Sequence, residues 1–493
     1  MRPNPKSSII SLFILVTFMV ASVWAQQDSG SSKAKDDLDD FFDNDASIVV
    51  PADKSEVKQE YSESFIKEEA LRLGGNFNFN VDINATYAKD PTFWDYEYLS
   101  KGAGEASKVT LDGSLFFMAR PSSAVRYYGK AKIGYPFYTF ATQASDVTAM
   151  TDNNPATIPG TGIPVPSIKI WELYADFDVE DKVFLRAGKQ MTKWGVGYFF
   201  QPADVISLSA VDPASPEAER EGPVAVKANV PLDVHNLDAY VIAPETLASA
   251  KDLAYALRLS FVVANFEFGL GGRYQFIPDN KLGSSMQGIA TISGSLWKFA
   301  LFGEAIVKYG TSKRYVVKDA AVSYGGTPPA SLLNGYRVEE RRYDPFFSGS
   351  AGFRFSDNQD LYLTVIGQYF YNGEGYAGDT KDIAVPALMF LSQGKLSMAD
   401  ISSVGRHYAA AMATYSFVND SKVSVSTFWM GNLIDASGFV KPSVAIKVTD
   451  EIKIGLYAQM NYGETNSEFR GTSLVQLPRM KAGFTVDLAS GNF

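Results

Sequence analysis

The stretch NFNFNVDINATY, Asn76 to Tyr87, alternates with hardly an error. Phe77, Phe79, Val81, Ile83 and Ala85 fall on one side, and Asn78, Asn80, Asp82, Asn84 and Thr86 on the other. Successive side chains of an extended strand point to opposite faces, so the stretch predicts a two-faced β-strand. Its apolar face meets either a protein core or a lipid phase. The rest of the chain decides which.

The alternation recurs to the C-terminus. Segments such as Val109 to Ala119, Val125 to Phe137, Val224 to Leu232, Phe299 to Tyr309, Leu361 to Tyr371 and Met480 to Leu488 bring the count to about 18 strands. Most have roughly the length that crosses a bilayer at a tilt. The connections alternate in length. RPSSA, VEDK, LDVHN, VVAN, LWK, SDNQD, VNDSK and VTDE are short. The connections at 88–107, 138–167, 190–221, 243–252, 277–285, 311–342, 372–405, 432–438 and 463–475 are longer. Outer-membrane barrels have short periplasmic turns and longer external loops. A soluble sandwich has no reason for that regularity. Aromatic residues also bunch at strand ends. Tyr87, Phe93, Trp94, Tyr96 and Tyr98 gather at one rim, and Trp297, Phe299, Phe355 and Phe417 sit beside short turns. Two interfacial belts account for that placement. The sequence therefore predicts an all-β, transmembrane, antiparallel up-and-down barrel over residues 74–493, with the Phe77 row towards lipid and the Asn78 row towards water.

This architecture resembles that of the bacterial outer-membrane porins, over about residues 74–493 and on pattern alone. The closing strand RMKAGFTVDL and the terminal Phe493 are similar to the assembly signal of such barrels, although ASGN separates Phe493 from the strand. The resemblance implies outer-membrane lipid around the chain, the barrel-assembly machinery as a partner and a small solute as substrate. It leaves a homo-oligomer open and calls for no cofactor.

A second resemblance is local. LRAGKQMTKWGVGYFFQPADVISLSAVDPASPEAEREGPVAVK looks like a segment shared by some substrate-export and porin-like barrels. It implies a large external or inward-folded loop after the fifth strand. Trp194, Asp204, Asp212 and Arg220 are its candidate anchors, the charged ones through charge-assisted bonds. The competing reading is loop packing alone.

The N-terminal residues point the same way. Arg2 and Lys6 precede IISLFILVTFMVASVWA, and Val23-Trp24-Ala25 fits a cleavage site, so 1–25 reads as a secretory signal peptide. Gln26 and the lack of any Cys exclude a lipoprotein anchor, disulfides and thiol chemistry. Residues 26–73 hold 13 acidic and 6 basic residues and read as an acidic periplasmic tail. Its first half is expected to be disordered, and a short helical stripe through Val57, Tyr61, Phe65 and Leu71 follows. The aspartates at 36–45 lack the glycine and closing glutamate of a calcium loop, so no metal is assigned.

Strand parity assigns the lumen charges. The selectivity candidates are Arg126, Lys130, Lys132, Arg186, Lys227, Arg258, Arg273, Lys308, Arg354 and Arg406. With Arg120, Lys441, Lys447, Lys453, Arg479 and Lys481 they outnumber Asp82, Asp112, Glu172, Asp176, Asp178, Asp238, Glu267, Glu304 and Asp487. The whole protein is acidic, at net charge −10, yet this lumen is basic and predicts a mild anion preference. The bland alternative is that these cations pair with acidic neighbours and loops, leaving little net field. Residues 383–397, IAVPALMFLSQGKLS, are too apolar for a solvated loop and read as an inward fold or a lid.

An enzyme is not expected. Only His235 and His407 exist, the first by a turn and the second on the lipid-facing parity, and no hydrolase constellation surrounds them. GLGGR at 269–273 lies in a strand, where small residues relieve barrel curvature rather than cradle a nucleotide. The net acidity argues against nucleic acid as a partner. The expectation is an outer-membrane channel passing small polar or anionic solutes. Its rivals are a non-conducting surface barrel whose long loops bind external partners and, less in keeping with the loops, a soluble secreted β protein.

Overall fold

The computed structural model describes residues 71–87, 104–122, 124–141, 167–180, 182–244, 249–357, 362–417, 422–449, 452–475 and 477–490. The signal peptide and nearly all of the acidic tail fall outside these residues. Leu71 to Leu73, read above as the end of the tail, belong to the first strand.

Period-two sequence forms strands almost wherever it occurs. The strands are β1 (Leu71–Tyr87), β2 (Gly104–Ser122), β3 (Val125–Ala141), β4 (Ser167–Val179), β5 (Val183–Lys189), β6 (Val224–Leu232) and β7 (His235–Ala243). Next come β8 (Ala254–Val263), β9 (Phe266–Gln275), β10 (Met286–Leu296), β11 (Phe299–Tyr309), β12 (Arg314–Lys318), β13 (Tyr336–Glu340) and β14 (Pro345–Asp357). The series ends with β15 (Leu363–Tyr371), β16 (His407–Ser416), β17 (Val423–Asn432), β18 (Ser437–Lys447), β19 (Ile452–Tyr462) and β20 (Met480–Ser490). Helices α1 (Lys381–Ser392) and α2 (Met398–Ile401) lie in the connection after β15.

Eighteen strands form one antiparallel sheet, each paired with its neighbour in sequence. β11 passes directly to β14, from Phe299↔Phe355 to Tyr309↔Pro345. β20 returns to β1, from Phe77↔Ser490 to Tyr87↔Met480, and this pairing closes the ring. β12 and β13 pair only with each other, as a hairpin inside the long connection between β11 and β14. Among the described residues, that hairpin is the one strand pair the alternation did not predict.

The two faces separate as period two requires. In β11, Phe302, Glu304 and Ile306 are buried while Val307 and Tyr309 are exposed. In β8, Ala254, Ala256 and Arg258 are buried between exposed Tyr255, Leu257 and Leu259. The exposed row continues around the ring through Leu115, Leu173, Val226, Val241, Leu270, Phe353 and Leu456. An apolar band of this extent suits lipid and not water. Beside the short turns Trp297, Phe299 and Phe355 pack together at 5.2–6.1 Å. At the opposite rim Tyr309 packs near Tyr343, and Phe347 near Tyr371. Both belts are therefore present.

Within GLGGR, Gly269 lies close beside an arginine of the neighbouring strand. A Cβ on Gly269 would stand 2.9 Å from Arg258 Nη2, so the missing side chain makes room for that arginine on the lumen wall.

The inward-folded loop and the lumen

The loop between β5 and β6 turns into the barrel. Its feet are tied first: the Gln190 N–H donates to Pro223 O at 3.1 Å, and Gln190 Nε2 donates to Ala225 O at 3.0 Å. Trp194, 1% exposed, lies edge-on to Tyr240 of β7 at 5.5 Å and packs with Ala203, Ile206 and Ile306. Phe199, fully buried, meets Phe428 of β17 at 5.1 Å, and Phe200 stacks on Phe370 of β15 at 5.0 Å. The loop thus buries its apolar residues against strands on distant parts of the ring.

Two wall residues satisfy the loop backbone where it turns. Glu304 Oε2 accepts N–H bonds from Val196 at 2.8 Å and Gly197 at 3.4 Å. Gln368 Oε1 accepts those of Tyr198, Phe199 and Phe200 at 2.7–3.1 Å. Gln368 Nε2 donates to Phe200 O at 2.7 Å and to Ser350 Oγ at 2.9 Å. A Cβ on Gly197 would stand 2.6 Å from Gln368 Nε2, so this close approach requires glycine. Buried backbone N–H groups must find partners, and here one carboxylate and one amide serve five of them.

The four candidate anchors divide. Trp194 packs as described. Asp204 and Arg220 form an ion pair with side chains 1% and 12% exposed. Asp204 also accepts the Ser207 hydroxyl at 2.8 Å, and Arg220 donates to Gln201 at 2.8 Å. Asp212 has no part in this pin. It is exposed and accepts the N–H of Ala214, capping its own turn.

The loop also carries carboxylates that strand parity could not count. Glu219 pairs with Lys130 at 2.5 Å and Lys132 at 2.9 Å. Glu221 pairs with Lys169 at 2.5 Å and with Lys189. Burial alone would raise the Glu219 carboxyl, but its two lysines outweigh burial and hold it below the usual range. The same balance lowers Glu221, through Lys169 and Lys189. Elsewhere Asp176 bridges Arg126 at 2.8 Å and Arg186 at 2.6 Å. Lys227 meets Asp238 at 3.1 Å, Arg258 lies 3.7 Å from Glu267, and Lys308 reaches Glu374 at 2.9 Å. Seven of the ten selectivity candidates therefore stand beside a carboxylate. Of the other three, Arg273 donates to Gln275 at 2.7 Å and Arg406 to Gly375 O at 3.2 Å. Arg354 is registered between Ala300 and Ile366. On another arc of the wall, β18–β20 place Lys441 opposite Phe428, Lys447 opposite Lys453 and Lys481 opposite Gln459.

Residues 383–397 do not enter the lumen contacts just described. Most of them form α1, whose Phe390 is buried with Val316 of β12, Leu333 and Leu396 in a small core of loop residues. The lid half of the expectation is closer to this arrangement than the inward half.

No family model matches the chain, and no curated protein matches it. Several solved structures are similar to the chain. One is OccK8 (OprE) of Pseudomonas aeruginosa, at 9% identity and TM-score 0.46 over 85% of this chain and 98% of that one. A second is OpdK of the same organism with vanillate, at 8% and 0.46 over 85% and 99%. A third is OmpF of Salmonella typhi in complex with daunomycin, at 8% and 0.42 over 86% and 99%. The barrel itself is established by this chain's own pairing. It is a closed ring of antiparallel strands with one long loop, between β5 and β6, packed against its inner wall.

Proposed function

We propose that the protein is an outer-membrane channel through which small polar solutes diffuse, with residues 190–223 forming its constriction. The observation that carries this reading is the latch of Glu304 and Gln368, which holds an apolar loop inside a ring whose outer face is apolar. A wide barrel otherwise leaves an aqueous bore, and a loop fixed within it narrows the bore to solute size. The finer part of the proposal is a mild anion preference. The pairing of the β3–β8 cations with carboxylates weakens their field, so the preference is a mild one. The rival reading, a non-conducting surface barrel, draws support from the amount of apolar side chain the loop packs across the lumen. Planar-bilayer recording of the refolded chain under a KCl gradient separates the two. Stable steps with an anion-selective reversal potential are expected. A folded, heat-modifiable barrel that never conducts would replace the channel with the surface barrel.

A further inference from the structure

The connections after β11 and β15 build a module with its own small core. The β12–β13 hairpin, α1 and α2 supply Val316, Leu333, Phe390 and Leu396, all 5% exposed or less. Between this module and the 463–475 loop lies a cavity of about 160 Å³. Its walls include Val316, Ile383, Ala387, Leu388, Ile401 and Val404. Apolar cavities of about this volume admit a single benzene-sized body.

One end of the cavity is acidic. Glu468 lines it, and its Oε2 already accepts the Tyr408 hydroxyl at 2.6 Å and Asn432 Nδ2 at 2.8 Å. Those bonds leave Oε1 for another donor. Asp435 accepts the Glu468 N–H at 2.8 Å. Asp400, also on the lining, accepts the Arg314 N–H at 2.7 Å and the Ser397 hydroxyl at 2.7 Å. Lys313 Nζ is directed to the carbonyls of Ser402 and Ser403 at 3.3 and 3.2 Å, and Arg314 Nε to Glu340 at 3.4 Å. Burial, opposed by the Tyr408 and Asn432 hydrogen bonds and by Lys313 and reinforced by Asp435, pushes the Glu468 carboxyl above its usual range. A half-buried carboxylate with spare acceptor capacity favours a positive donor.

We propose that this cavity binds a small amphipathic amine, with its apolar body against α1 and the β12 wall and its ammonium on Glu468 Oε1. The site stands apart from the constriction and does not depend on conduction. It would collect such amines on the long-loop side of the barrel.

Benzylamine, toluene and benzoate make a matched series of cation, neutral body and anion. They are titrated by calorimetry into the refolded full chain in detergent, with heat-modifiability confirming the barrel. Benzylamine is expected to bind at least about tenfold more tightly than the other two, as a charge-assisted bond implies. Glu468→Gln should remove that margin, and Ala387→Phe, which fills the cavity from α1, should abolish binding. Equal binding of toluene, tighter binding of benzoate, no binding of benzylamine, or benzylamine binding unchanged in both variants would each overturn the proposal.

Discussion

Gln368 Oε1 lies 2.7 Å from the backbone nitrogen of Phe199, and this contact joins β15 to a loop 169 residues earlier in the chain. The same oxygen serves Tyr198 and Phe200, so one side chain satisfies three consecutive buried N–H groups. Gln368→Ala orphans all three and should weaken the latch by about 2–5 kcal/mol. The ring keeps its ladder, so the barrel should still fold and remain heat-modifiable. Single-channel recording should show larger or noisier steps, and a protease should cut within residues 190–223. Conductance and cleavage identical to the parent would show that the loop is held by packing alone.

Glu219 and Glu221 offer a test of the lumen field. Glu219→Gln with Glu221→Gln removes two negative charges from beside Lys130, Lys132, Lys169 and Lys189. The anion-to-cation permeability ratio should rise by roughly threefold or more, most clearly at low ionic strength. Reversal potentials under a salt gradient measure this directly. An unchanged ratio would place the solute path away from β3–β5.

The same pairs predict a pH response in the parent protein. Both carboxyls titrate below their ordinary value because bound lysines favour the charged form. Their stabilising contribution is complete above the unfolded value, roughly 4.3, and is lost only as pH falls through the lowered folded values. Selectivity should therefore stay flat from pH 7 to about 5 and turn more anionic only in stronger acid. A transition centred near neutrality would point to other groups.

The barrel was legible because period two is a local property. Val125, Val224 and Phe299 each begin the strand that the alternation starts there. The site was legible only in part. Trp194, Asp204 and Arg220 stood out as a bulky or charged residue in an otherwise plain loop, and there Trp194 packs on the wall and the other two pair with each other. Asp212 stood out equally and only caps a turn, since residue type alone does not say how far a carboxylate reaches. Gln368 was invisible, because a lone glutamine in a strand resembles any lumen residue until the loop is seen against it. The pairing of the lumen cations was left open for a related reason. Strand parity counts wall residues, whereas Glu219, Glu221 and Glu374 come from connections that have no parity.

The lipid-facing assignment predicts a sharp asymmetry within one strand. Leu456 is 49% exposed on the outer face of β19, and Gln459 is on its inner face, hydrogen-bonded to Asn461 at 3.1 Å. Leu456→Arg puts a charge in the hydrocarbon and should cost about 2–4 kcal/mol. Gln459→Arg meets water and should cost less than about 1 kcal/mol. Urea unfolding in lipid vesicles gives both values. Equal costs would contradict a membrane-spanning β19.

The Asp204–Arg220 pair predicts non-additivity. Both side chains are almost fully withdrawn from water, so each is tolerated only because the other is present. Arg220→Met leaves the Asp204 carboxylate with the Ser207 hydroxyl and a long bond from the Trp194 N–H, and no cation. Breaking one side of such a pair costs about 3–5 kcal/mol, whereas replacing both sides with apolar groups of similar volume is often close to neutral. Arg220→Met should therefore open the loop to protease and raise current noise, and Asp204→Leu in the same chain should reverse much of both effects. Trp194 packing is untouched by either change, which keeps the loop's apolar seat in place as the reference. If the double variant is as loose as the sum of the singles, the pair contributes through its separate hydrogen bonds to Gln201 and Ser207. The loop would then be held by its backbone latch and its tryptophan rather than by charge.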